Sequence, residues 1–121
     1  MNMKVVISSL VILAGVSGLF QPSWAEEDVF IIAIKDHRFF PEQLTVPAYK
    51  KIRLIVKNED STAEEFESHD LNREKIITPY NQATLFLGPL KPGEYQYFGE
   101  FHEDTAQGII VVKEDIQTKE E

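Results

Sequence analysis

The stretch whose reading decides the fold runs from Gly93 to Val112: GEYQYFGEFHEDTAQGIIVV. Tyr95 and Tyr97 share a parity, which predicts a strand with one aromatic face. A polar loop follows from Gly99 to Gln107 and carries Glu100, His102, Glu103 and Asp104. The apolar run Ile109 to Val112 then returns as a second strand. Imidazole and carboxylates in a loop between two strands are well placed to hold a metal on a rigid β-scaffold.

Working outward, the rest of the chain has the same texture. Asp28 to Lys35 (DVFIIAIK) is rich in β-branched and aromatic residues, and Lys50 to Lys57 (KKIRLIVK) sets Ile52, Leu54 and Val56 against Lys51, Arg53 and Lys57. Gln43–Val46, Glu65–Leu71, Lys75–Thr78, Ala83–Leu87, Tyr95–Phe101 and Ile109–Lys113 bring the strand candidates to about eight. Between them lie turn signals: Asp36 to Pro41 (DHRFFP), Pro47, Asn58 to Ala63, Pro79, Gly88-Pro89 and Lys91-Pro92-Gly93. No segment has helical periodicity. The expected fold is all-β, an antiparallel Greek-key β-sandwich of about 7–8 strands.

The first 25 residues read as an export signal, with Lys4, the apolar run Val5 to Leu13 and the small-residue site Ser23-Trp24-Ala25. That leaves residues 26–121 as one domain and predicts an exported protein. The chain carries a net charge of −8, a sign that repels nucleic acid and anionic lipid and attracts cations. It has no Cys, so it forms no disulfide and has no thiolate for catalysis or soft-metal ligation. No nucleophile elbow, Ser/His/Asp arrangement or glycine-rich phosphate loop stands out, and no catalytic residue is assigned.

The chemistry that remains is imidazole with carboxylate. His102 shares its loop with Glu100, Glu103 and Asp104; Glu65, Glu67 and His69 share a strand face by the two-residue period; His37 lies in the turn before Phe39. In a sandwich the His37 turn, the Glu65 region and the His102 loop can converge at one end. The expected metal site is therefore His102, Glu100, Glu67 and Glu65, with His37, a mixed N/O set that suits iron, Cu(II), Mn or Zn better than Cu(I). Polar residues alternating along a solvent-facing strand are the plain alternative for the glutamates.

These residues resemble the cupredoxins, and more closely the cupredoxin-like domain of periplasmic elemental ferrous iron uptake proteins associated with iron permeases. The resemblance is carried by FFPEQLTVPA (39–48), RLIVKNED (53–60), EEFES (64–68) and PLKPGEYQYFGEFHEDTAQGIIVV (89–112). Blue-copper members place a Cys, a His and a Met in the final loop. These positions fall on Gly99, His102 and about Ala106, and the family's other His falls on Glu64 or Glu65. The resemblance thus implies a cupredoxin-like sandwich without a blue type 1 copper site. It further implies a periplasmic protein that binds copper and/or iron, with a membrane iron permease and other iron-uptake components as partners. Whether ferrous iron is also oxidised is left open. The alternative is a metal-free sandwich that docks within an envelope complex.

Overall fold

The computed structural model describes residues 28–114. Nine strands occur in chain order: β1 (Asp28–Lys35), β2 (Arg38–Phe40), β3 (Gln43–Pro47), β4 (Ile52–Asn58), β5 (Glu64–Ser68), β6 (Arg73–Ile77), β7 (Gln82–Leu87), β8 (Gly93–Phe98) and β9 (Gln107–Lys113). Among the described residues, helix is confined to one 3-10 turn, Glu100–His102. The expected signal segment, residues 1–25, lies outside the described residues.

The strands form a five-stranded sheet in the order β3-β9-β8-β5-β6 and a four-stranded sheet in the order β2-β1-β4-β7. The all-β sandwich expected from the sequence is present, with two differences. A ninth strand, β2, occupies the segment read as a turn. In addition, β1 pairs with β4 and β3 pairs with β9 in parallel, so neither sheet is purely antiparallel. The parallel pairs follow from the chain path. After the β1–β2 hairpin the chain crosses to the other sheet as β3, then returns as β4 beside β1 in the same direction.

The core is built from the inward parity of each strand. Ile32 and Ile34 of β1, Ile52, Leu54 and Val56 of β4, Leu85 and Leu87 of β7, and Ile110 and Val112 of β9 are all buried. Burying such side chains contributes roughly 1.5–3 kcal/mol each, which lets a domain without disulfides hold together. At the end that carries the site, Phe39, Phe66 and Tyr97 pack as an aromatic cluster, with Phe39 edge-on to Tyr97 at 4.9 Å. Gly108 makes room for it: directly across from Tyr97, a Cβ would fall 2.3 Å from the tyrosine ring.

Candidate metal centre

The position of His37 is set by the β1–β2 hairpin. Lys35 pairs with Arg38, leaving a two-residue turn in which Asp36 and His37 both have positive φ, 53° and 60°. Two central residues with positive φ define the mirror-image turn that matches the twist of a hairpin. Neither residue is glycine, so the turn needs outside support. Asp60 supplies it, accepting hydrogen bonds from the N–H of Asp36 at 2.7 Å and of His37 at 3.0 Å. Burial acts to raise the Asp60 carboxyl; the two N–H donors, with the neighbouring Glu64 and His37 side chains, outweigh it and hold the group below its usual range.

Asn58 in turn anchors the loop that carries Asp60. Its buried side-chain amide donates to the carbonyls of Thr62 and Ile77, and its Oδ1 accepts from the N–H of Asp60. The chain then enters β5 at Glu64, which is only 1% exposed. Glu64 has the parity of Phe66 and points inward between the sheets.

His102 arrives from the other side of the site. β8 ends at Phe98 and the chain turns through the 3-10 segment Glu100–His102. The loop is closed by hydrogen bonds from the N–H of Ala106 to the His102 carbonyl and from the N–H of Gly99 to the Ala106 carbonyl. Thr105 Oγ1 donates to the His37 carbonyl at 2.6 Å, tying this loop to the hairpin turn.

Together these elements set His37 Nδ1 at 2.7 Å from Glu64 Oε2 and His102 Nδ1 at 3.3 Å from Glu64 Oε1. The two imidazoles stack with ring centroids 3.6 Å apart, and Thr62 Oγ1 donates to Glu64 Oε2 at 2.9 Å. One potential ligand atom from each of His37, Glu64 and His102 lies within 4.8 Å of the other two.

A second group lies on the opposite face of β5. Glu65, Glu67, Glu74 and Glu100 place carboxylate oxygens within 4.8 Å of one another. Glu67 and Glu74 are directly paired across β5 and β6, where like charges destabilise a sheet. Glu65 is 2% exposed and accepts the N–H of Glu100 on Oε1 at 2.8 Å. Burial pushes its carboxyl up to about 7; the Glu100 N–H opposes that rise, and the Glu74 and Glu67 carboxyls add to it. Glu67 Oε1 is buried and has no hydrogen-bond partner among the described residues.

The residues expected to form one site are therefore divided between two. His37 and His102 are brought together with Glu64, whereas Glu65, Glu67 and Glu100 are brought together with Glu74. Two physical facts divide them. Consecutive strand residues face opposite ways, so Glu64 and Glu65 cannot share a group. Glu100 and His102 lie in a 3-10 turn rather than an extended segment, so a two-residue spacing no longer puts them on one side. His69 belongs to neither group; it is exposed in the turn after β5, with Nδ1 4.0 Å from Glu67 Oε2.

Glu64 and Glu74 are the residues that sequence reasoning left out of the set. The parity of Phe66 signals Glu64, and the register of the β5–β6 hairpin signals Glu74. The position taken as the copper thiolate is closed: a Cβ on Gly99 would sit 2.9 Å from the Glu65 carbonyl oxygen and 3.0 Å from Ala106 Cβ. With no Cys in the chain, a type 1 blue copper site is excluded. A metal held by imidazole and carboxylate fits the residues present, on the donor chemistry of the first group and on the orphaned Glu67 oxygen of the second.

The cupredoxin-like domain family matches residues 6–112 of the chain. An uncharacterized protein of Rickettsia prowazekii (strain Madrid E) is 58% identical over 83 residues, covering 69% of this chain and 66% of that one. The chain thus spans just under two-thirds of that relative's length. Among solved structures, auracyanin A, a blue copper protein of Chloroflexus aurantiacus, superimposes with a TM-score of 0.61 at 15% identity, over 70% of this chain and 98% of its own. Auracyanin B gives 0.63 at 12% identity, over 71% of this chain and 88% of its own. Amicyanin from Paracoccus versutus gives 0.56 at 14%, over 71% and 82%. At these identities the structural likeness is one of fold.

Proposed function

The chain belongs to the cupredoxin-like domain family, and from that premise we propose that it is a periplasmic metal-binding protein of bacterial iron uptake, working beside a membrane iron permease. The observation that carries this reading is the convergence of His37, Glu64 and His102, whose candidate ligand atoms lie within 4.8 Å of one another. Two imidazoles and one carboxylate suit Cu(II), Zn or iron, and the set lacks the soft donors that favour Cu(I). A metal held there supplies a positive charge and, for copper or iron, a one-electron redox couple.

The chain's own residues prepare the place. Asp60 holds the hairpin turn that presents His37, Thr62 orients the Glu64 carboxylate, and Thr105 ties the His102 loop to that turn. A fixed carboxylate favours the more highly charged oxidation state, because Coulomb attraction grows with metal charge. The four-carboxylate group is read as the place where ferrous iron is taken up as substrate. Its oxygens are hard donors, Glu65 is buried, and Glu67 Oε1 has no hydrogen-bond partner among the described residues. The copper of auracyanin A belongs to that protein, and enters this reading only through the shared fold.

Titrating metal-free protein with Cu(II), Zn(II) and Fe(II) in a calorimeter tests the proposal. Binding tighter than about 1 μM for at least one ion is expected. Nothing tighter than about 100 μM for any of them would sink it. An iron-permease gene beside this one would support the pathway, and growth on limiting ferrous iron that is unaffected by deletion of this gene would remove it.

A further inference from the structure

The outer face of the four-stranded sheet runs against the charge of the rest of the molecule. Its outward positions are Val29, Ile31, Ala33 and Lys35 on β1, Arg38 and Phe40 on β2, Arg53, Ile55 and Lys57 on β4, and Gln82, Thr84 and Phe86 on β7. No carboxylate stands among them, although the chain as a whole carries −8. Lys35, Arg38 and Lys57 have no ion-pair partner among the described residues. Arg53 lies over the Phe86 ring at 5.5 Å.

The face is also apolar. Val29 and Ile31 are each 47% exposed, and Phe40 and Phe86 are each 51% exposed. The strand registers lay the two kinds of residue out in rows. Val29, Arg53 and Phe86 stand side by side; Ile31, Ile55 and Thr84 form the next row; Phe40, Ala33, Lys57 and Gln82 the next; Arg38 and Lys35 the last. Cations and hydrophobes are therefore interleaved across the sheet, with phenylalanines towards opposite edges.

From this face we infer a docking site for an anionic lipid surface. Charge complementarity calls for an anionic partner, because Lys35, Arg38 and Lys57, which have no ion-pair partner among the described residues, gather on one face of an acidic protein and orient that face towards negative charge. A second copy meeting face to face would set cation against cation, which removes that occupant. The layout favours lipid over an acidic protein. Protein interfaces concentrate their energy in aromatic or arginine anchors seated in pockets, whereas these side chains stand in open rows on a sheet. The open groove lined by Glu42, Gln43, Gln96 and Gln107 is on the other sheet. Long basic side chains can reach phosphates while Phe40, Phe86, Ile31 and Val29 enter the boundary layer. Docked this way, the sandwich lies sheet-down on the membrane, and the imidazole group at its end remains free to exchange metal.

Vesicle flotation of the full chain tests the inference, using phosphatidylcholine vesicles with and without roughly one-third phosphatidylglycerol. Partitioning to the anionic vesicles is expected to exceed that to the neutral ones by about tenfold or more and to fall with added salt. The pair Lys35→Glu and Lys57→Glu should abolish the preference, and Phe40→Ser should weaken it about threefold or more, with EDTA changing neither. Three results would overturn it. One is equal partitioning to both lipids; another is anionic binding that survives the double charge reversal. The third is retention on immobilised polyglutamate together with no flotation on anionic vesicles, which would assign the face to an acidic protein.

Discussion

One five-residue strand, β5, serves two chemically different groups on its two faces. Glu64, on the inner face, is contacted by two imidazoles and a threonine hydroxyl. Glu65 and Glu67, on the outer face, meet Glu74 and Glu100, and the Glu100 backbone N–H donates to Glu65 Oε1. Adjacent residues of the same type thus differ in what they lack. The inner carboxylate is well supplied with hydrogen-bond partners and nitrogen ligands. The outer ones crowd together with one carboxyl raised to about 7 by burial and one oxygen left without a partner. A softer, mixed donor set and a hard, all-oxygen set therefore lie back to back, and different cations should sort between them.

The largest effects should come from separating the faces. Alanine at both His37 and His102 should weaken Cu(II) binding by about 100-fold or more, since even outer partners of a metal ligand are worth roughly 10–100-fold. Glu67→Gln should leave that affinity within about threefold while weakening Fe(II) or Mn(II) binding. Calorimetry on the two variants reads this directly. If Glu67→Gln weakened Cu(II) as strongly as the histidine changes, the two groups would be one site.

The next effect tests the shared floor of the two groups. Gly99 lies against the Glu65 carbonyl, and its backbone is ordinary extended chain, φ −113°. The glycine is needed for closeness, not for conformation. Gly99→Cys, which puts a thiol at the position that the resemblance assigns to a copper thiolate, should destabilise the fold by about 1–3 kcal/mol through overpacking. It should also show no intense thiolate-to-copper band when Cu(II) is added. Denaturation and visible spectroscopy check the two halves; a strong blue colour would mean that the loop yields easily.

A smaller effect isolates the outer face. The Glu65 carboxyl is raised from 4.5 to about 7 by folding, so its contribution to stability is complete below about pH 4.5 and is lost as pH rises through about 7. Glu65→Gln keeps an acceptor for the Glu100 N–H and removes the ionisation. Between about pH 5 and pH 7 the variant should lose less stability than the parent, and at about pH 8 it should be more stable by on the order of 1–2 kcal/mol. Parallel urea denaturation curves at these pH values decide it. Identical pH dependence in both proteins would show that Glu65 ionises freely.

Much of this was legible in the sequence, for definite reasons. The β-branched richness of β1, the alternation in β4, the Tyr95/Tyr97 parity in β8 and the apolar run of β9 announced strands, and the loop of Glu100 and His102 announced a candidate ligand loop. What the sequence hid was geometry that changes within one residue. Glu64 and Glu65 are chemically identical, so assigning one to each face needs the parity of Phe66 to be read as inward. The Glu100–His102 spacing reads as same-sided in a strand and loses that meaning once β8 ends at Phe98. β2 was obscured because its turn uses Asp36 and His37 where glycine or asparagine is the usual signal. The parallel pairs depend on crossings between sheets, which no local pattern records.

That turn supplies the finest test of the comparison. His37 holds φ 60°, a region that glycine enters more easily than a side-chain-bearing residue does. On the inner face, then, a candidate ligand occupies a position where backbone preference favours another residue. His37→Gly should relax the turn but remove both the stacking on His102 and the hydrogen bond to buried Glu64, for a net loss of about 1–2 kcal/mol. Metal affinity should fall much further than stability, because the imidazole is gone. The outer group, which His37 does not touch, should keep its pH dependence. Calorimetric titration and thermal melting on this one variant separate the outcomes. A large loss of stability with affinity intact would mean that His37 is there to hold the hairpin, and the inner site would then rest on Glu64 and His102 alone.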